Sequence, residues 1–305
     1  MIRYFLEKYY KKTKGYYPFF KYCPNFYKDF FLEKRFFDSV GYFPCFDNPK
    51  TFNEKLRWLI LNEKTELKTK LTDKLQAKKW CQEKLGNDLC AELYGEWKKF
   101  DDIDFNALPD KFALKVNHGW KMNLLILNKA EFIRTKKNQT RKMINEYLKI
   151  NYYDFSLEPQ YINIERKVFA EKLRSIDSSS VQEYQVHCMN GEPKLIEVSP
   201  SKMFSIFFKN PCIQFYDLNW TLQPYTYYWK YNNKQVEKPD FFNDLLKYSK
   251  KLAEGFSYVR VDFAIDEGNI VFAEMTFTPC SCMIAFNDKK WDEQLGEMLK
   301  LPTDL

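Results

Sequence analysis

The stretch V-R-V-D-F-A-I-D-E-G-N-I-V-F-A-E-M-T-F-T-P, residues 259–279, decides the fold. Val259, Val261, Phe263 and Ile265 alternate with Arg260, Asp262 and Ala264, the period of a strand with two unlike faces. Asp266-Glu267-Gly268-Asn269 carries turn chemistry, and Gly268 tolerates a positive φ. A three-residue loop over Glu267–Asn269 pairs Asp266 with Ile270. Asp262 then lies opposite Glu274, and Arg260 opposite Thr276. Directly opposed carboxylates repel unless a cation lies between them. Two that hold divalent cations beside an arginine suit phosphate chemistry. Taken alone, the hairpin reads equally well as a half-exposed ribbon with a solvated charged face.

Working outward, the chain of 305 residues is long enough for a full core in two or three lobes. Phe, Tyr and Trp are 18% of it, and the net charge is +7. No apolar run reaches the roughly 18 residues a membrane span needs. The start, M-I-R-Y-F-L-E-K-Y-Y-K-K, is too charged and aromatic for a signal peptide. Eight cysteines without a C-x-x-C pair, and His118 and His187 as the only histidines, argue against zinc sites and a disulfide framework. A histidine-dependent hydrolase has equally little to work with. Residues 1–46 hold nine basic against four acidic side chains, together with 18 aromatics. Such a segment contacts a glycan, a nucleic acid or an anionic membrane, or forms an aromatic helical cap kept soluble by lysines. The cap is the simpler expectation, and no nucleic-acid motif is present.

Residues 1–107 read as mainly helical, with Thr51 and Glu54 forming a capping box and a second helix running from Thr72-Asp73-Lys74 to Gly86. After Pro109, F-A-L-K-V-N is a strand, and strand-like pieces recur at 124–127, 161–170 and 183–188. Helical stretches fall at 129–149, 239–254 and 290–299, and Asn190-Gly191 marks a hairpin turn. This order predicts an antiparallel α+β fold rather than βαβ units. The expected division is 1–107, a central lobe at 108–173 and a C-terminal lobe at 174–305. Lys115 ends its strand before the loop V-N-H-G-W-K, a geometry suited to a polyphosphate. Asp73-Lys74, with Lys78 one helical turn on, and Glu171-Lys172 at a strand end are weaker signals.

Taken in order, these pieces resemble the ATP-grasp superfamily. D-N-P-K-T-F-N-E-K-L, L-P-D-K-F-A-L-K-V-N-H-G, V-R-V-D-F and E-M-T-F-T-P are similar to its TupA-like branch, over roughly residues 44–300. The resemblance implies two α+β lobes clamping ATP. It places Lys74 and Lys115 on phosphates beneath a loop with His118, Gly119 and Lys121. Glu171, Lys172 and Leu173 fall at the adenine edge and Glu183 at the ribose. Asp262, Glu274 and Thr276 fall on Mg²⁺, two ions being expected, and Arg260 on the reacting groups. Three departures from the pattern stand out: Thr276 where Asn is common, Trp120-Lys121 where small residues are usual, and Cys280 and Cys282 where glycines are expected.

The implied activity is an ADP-producing carboxylate–amine ligase of bacterial capsule or other surface-polysaccharide assembly. It joins a uronic acid to an amino acid or small amine through an acyl phosphate. Rival readings are a polysaccharide kinase, a glycosyltransferase and a non-catalytic binding module. The expected location is the bacterial cytoplasm, with peripheral inner-membrane association as an added expectation.

Overall fold

The computed structural model describes residues 25–63, 65–119, 122–174, 182–200, 213–227 and 235–303. Two antiparallel sheets carry the fold. The first joins β1 (Leu93–Trp97), β4 (Val168–Lys172), β2 (Phe112–Val116) and β3 (Asn123–Ile126) in that spatial order. The second has the order β7 (Gln214–Tyr216), β6 (Glu192–Pro200), β5 (Gln182–Met189), β8 (Tyr258–Asp266), β9 (Asn269–Thr276).

Ahead of the first sheet come helices α1 (Asn25–Val40), α2 (Phe52–Asn62), α3 (Glu66–Thr72) and α4 (Lys74–Leu85). α5 (Lys129–Thr135), α6 (Lys137–Lys149) and the short α7 (Tyr153–Ser156) follow β3. α8 (Phe242–Ala253) precedes the β8–β9 hairpin, and α9 (Lys289–Met298) follows it. Period-2 alternation gives the second sheet two faces. Val186, Ile196, Val259 and Val261 point into one core with Leu245 and Leu252 of α8. Met189, Leu195 and Tyr258, on the opposite face, pack with Phe52, Leu56 and Leu59 of α2 and Leu295 of α9.

The α2–α9 joint shows how local sequence sets this packing. Thr51 accepts from the Glu54 amide, and Glu54 accepts from the Thr51 amide at 3.0 Å, completing the capping box. The Asp292 carboxylate of α9 accepts from the Asn53 amide at 2.9 Å and from Tyr42 at 2.6 Å. A Cβ on Gly296 would lie 2.1 Å from the Lys50 carbonyl, so only glycine permits this approach. Of residues 1–46, the described part behaves as a structural element: Phe31 and Phe36 of α1 are buried, and Tyr42 is tied to α9. The remaining residues of that expectation lie outside the described ones.

Four expectations need correction. Residues 93–97, read as helical, form β1, a short half-buried edge strand irregular between Leu93 and Gly95. Residues 161–167 are not strand; a 3₁₀ turn opens at Pro159, and β4 begins only at Val168. The helical span 129–149 is two helices, α5 ending and α6 starting at Lys136. The β8–β9 turn is also shorter than the three-residue loop expected. Asp266 pairs with Asn269, and Glu267 and Gly268 have φ of 50° and 80°. One extra residue, Ala273, then shifts the ladder between Asp262 and Phe263. The bulge cancels the turn error, so Asp262 does face Glu274 and Arg260 does face Thr276.

Candidate active site

The ladder builds the site. Phe215, Glu197, Gln185, Asp262 and Glu274 form one row of partners across β7, β6, β5, β8 and β9. Leu195, His187, Arg260 and Thr276 form the next row, two residues along and therefore on the same face. Within these rows the Arg260 guanidinium grips Asp262 bidentately, Nε to Oδ1 at 2.7 Å and Nη2 to Oδ2 at 2.7 Å. Nη1 lies 3.9 Å from Glu197 Oε2. Burial opposes the Arg260 charge, but Asp262 and Glu197 outweigh it and hold the guanidinium firmly protonated. Thr276 Oγ1 donates to Glu274 Oε1 at 3.3 Å.

The opposite wall comes from α4 and the loop after β2. Asp73 caps α4 by accepting from the Leu75 amide, and the Lys74 amide donates to the Asn117 carbonyl at 3.0 Å. Lys74 Nζ donates to the Gly119 carbonyl at 2.8 Å and lies 3.7 Å from Glu274 Oε2, bringing helix, loop and hairpin together. Gly119 sits at φ 84°, where a Cβ would press on Met122 and Tyr152 at 3.0 Å. Lys121 lies outside the described residues.

A second charged group lies on the first sheet. Lys115 Nζ meets Glu171 Oε1 at 2.5 Å, and Lys78 Nζ meets Oε2 at 2.8 Å. Burial pushes the Glu171 carboxyl up, but the two ammonium groups outweigh it and bring its pKa down to about 2. Burial lowers the pKa of Lys115 against the pull of Glu171. Lys172 is exposed at the end of β4, its amide donating to the Glu92 carbonyl at 2.8 Å, and Leu173 follows it half-buried. Glu183 stands on the Asp262 face of β5, 3.8 Å from Arg174.

His118 turns away from this space. Its Nε2–H donates to the Tyr147 and Ile150 carbonyls at 3.2 Å each, at the C-terminal end of α6. Burial, helped by Arg166, lowers its pKa to about 4, so it is a neutral structural imidazole. Sequence reading passed over Glu197. It is fully buried, accepts from Tyr227 Oη at 2.8 Å on both oxygens, and lies 3.4 Å from His187 Nε2. Its signal was present: a lone acid in L-I-E-V-S, at the strand register that Gln185 and Asp262 share.

The family description "TupA-like ATPgrasp" matches residues 54–300. The chain belongs to the TupA-like ATP-grasp family. Among solved structures it is similar to D-alanine–D-alanine ligase from Helicobacter pylori, at 14% identity and TM-score 0.42, covering 82% of this chain and 69% of that one. The corresponding ligase from Bacillus anthracis complexed with ATP has 14% identity and TM-score 0.38, covering 68% and 54%. The ATP-grasp ligase PsnB complexed with minimal precursor has 11% identity and TM-score 0.39, covering 69% and 53%. The chain thus spans little over half the length of the latter two. No curated protein matches it.

The ATP-grasp family implies magnesium, and the donors fit it. Asp262 and Glu274 face each other with hard oxygen donors, the Asp262 oxygens also accepting from Arg260, and the Thr276 hydroxyl lies beside Glu274. Among the described residues no group of three or more His, Cys, Asp or Glu side chains gathers around one point. Mg²⁺ asks for no such cage, since it is typically held by one or two carboxylates with waters and substrate phosphates.

The two departures at Cys280 and Cys282 have a backbone reading. Cys280, Ser281 and Cys282 all have left-handed φ, 51°, 53° and 60°. That region favours glycine, which explains the glycines expected there and leaves these L-residues strained.

Proposed function

We propose that this chain is an ATP-dependent carboxylate–amine ligase acting on a sugar acid of a surface polysaccharide or its precursor. The observation that carries the reading is the Arg260–Asp262–Glu274–Thr276 ladder with Lys74 only 3.7 Å from Glu274. Membership of the TupA-like family supports the ATP-grasp chemistry. The sugar acid and the amine rest on the family resemblance and on the basic, ring-rich composition near residue 1. The cytoplasm, where ATP is supplied, is the proposed location.

In this reading Asp262, Glu274 and Thr276 would hold Mg²⁺, which would supply charge neutralisation to the phosphates of bound ATP. Lys74 and Lys115 supply cations to the phosphates, and Gly119 lets the backbone come close. A carboxylate oxygen attacks the γ-phosphorus and ADP leaves, giving an acyl phosphate. The amine then attacks the acyl carbon, phosphate leaves, and the amine loses a proton. Arg260 is the residue that would stabilise charge on the transferring phosphoryl group and on the tetrahedral oxyanion. Its fixed orientation, set by Asp262 on one edge and Glu197 on the other, limits reorganisation during the reaction.

The test is product analysis with ATP, Mg²⁺, uronic acids and amines. ADP and phosphate should form only when both acid and amine are present. Formation of AMP overturns the phosphorylation route. ADP with a phosphorylated glycan and no need for amine identifies a kinase instead.

A further inference from the structure

The charged group on the first sheet holds one cation more than its single carboxylate needs. Lys78 of α4 is 7% exposed and Glu171 of β4 is 5% exposed. Lys78 Nζ lies 2.8 Å from Glu171 Oε2, and Lys115 Nζ lies 2.5 Å from Oε1. Among the described residues, Glu171 is the one carboxylate with which either lysine forms an ion pair. The backbone fixes this triangle. Glu171 pairs with Ala113 across β4 and β2, so Lys115 is its diagonal neighbour on the same face of the sheet. Lys78 stands one helical turn beyond Lys74, whose ammonium donates to the Gly119 carbonyl. One face of α4 therefore delivers a cation to the loop and a second to Glu171.

A buried carboxylate stripped of its last cation costs far more than an intact ion pair contributes. With Lys115 as sole partner, Glu171 would resist any movement of that lysine toward a phosphate. Lys78 removes the resistance. When Lys115 turns to the nucleotide, Glu171 keeps one ammonium, and the charges left behind balance. Lys115 also gains by the exchange. Burial disfavours its charge most, Glu171 supports it, and Arg174 and Lys78 oppose it, so a phosphate oxygen is a favourable new partner.

We propose that Lys78 is a positioning residue for nucleotide phosphates: it holds Glu171 so that Lys115 can exchange that carboxylate for a phosphate oxygen. The inference deepens the proposed function and rests on it for the contact between Lys115 and phosphate. Lys78 acts through Glu171 and Lys115, and its own ammonium stays with Glu171 at 2.8 Å.

The experiment needs no turnover and no sugar acid. Calorimetry on the full chain with Mg²⁺ compares the affinity for ADP with that for adenosine, which has the same base and ribose but no phosphate. Lys78→Met should fold, because Lys115 still pairs with Glu171. It should lose about tenfold or more in ADP affinity while its adenosine affinity changes less than about twofold. Lys78→Gln, a neutral side chain that is still polar, should behave likewise, and Lys78→Arg should retain most of the ADP affinity. In a Glu171→Gln background, where no buried carboxylate is left to strand, Lys78→Met should change ADP affinity by less than about twofold. Wild-type ADP affinity in Lys78→Met and Lys78→Gln overturns the assignment. Equal losses for ADP and adenosine do so as well, since Lys78 would then only support the fold. A full ADP loss that persists in the Glu171→Gln background also overturns it, because Lys78 would then act on phosphate directly. So does a wild type that does not bind ADP. Failure of the ligase reading is recognised separately, as a wild type that binds ADP but shows no amine-dependent phosphate release.

Discussion

Asp262 and Glu274 face one another across one ladder rung, yet they differ in what their loss should do. Asp262 is buried and satisfies both arms of Arg260, itself only 5% exposed. Asp262→Ala strands that guanidinium and should cost roughly 3 kcal/mol in urea unfolding, along with orders of magnitude in turnover. Glu274 is 37% exposed, so Glu274→Ala should cost under about 1 kcal/mol while lowering turnover comparably. Near-normal turnover in both variants would refute the metal assignment.

Glu171 gives a pH prediction. Its folded pKa of about 2 lies below the ordinary 4.5, so its contribution is full above about pH 4.5 and lost as pH falls toward 2. That contribution is on the order of 3 kcal/mol, and Glu171→Gln should flatten wild-type stability across this window in denaturant titrations. His118 behaves in the same sense at higher pH. With its pKa lowered to about 4, its contribution is full above the ordinary 6.5 and lost as pH falls through 4. An NMR titration should find one imidazole still neutral at pH 5. Protonation near 6.5 would contradict the buried assignment.

Among the elements, the β8–β9 hairpin and the α2 capping box were the most legible in sequence, because each depends on neighbours in the chain. Thr51 and Glu54 needed only three-residue spacing, and period 2 fixed which side chains share the Arg260 face. The turn itself was misread. Both it and the Ala273 bulge respond to pairing, and their errors cancelled. β1 was hidden because L-Y-G-E-W is short, half-buried and interrupted by Gly95, so its strand character comes from pairing with β4. Glu197 was hidden because a single acid in an apolar strand looks solvent-facing until Tyr227, far along the chain, supplies its partner. The α2–α9 joint is a long-range feature of the same kind. Gly296→Ala would push a methyl group onto the Lys50 carbonyl and should cost about 3 kcal/mol, read as a lower midpoint in urea. A change below about 0.5 kcal/mol would show that the joint is loose.

At the scale of the whole molecule, two antiparallel sheets present their charged groups toward the α4 N-terminus, where Lys74 reaches both the Gly119 loop and the Glu274 hairpin. Such an arrangement makes both halves necessary for the reaction proposed here: cations come from α4 and the first sheet, carboxylates and Arg260 from the second. The central claim is that a carboxylate is phosphorylated and then displaced by an amine. Its most direct measurement uses a sugar acid labelled with ¹⁸O in both carboxylate oxygens, with ATP, Mg²⁺ and amine, followed by mass analysis of the released phosphate. The acyl-phosphate route transfers one carboxylate oxygen, so each phosphate released should carry one ¹⁸O. Phosphate free of label, formed together with amide, would contradict the account.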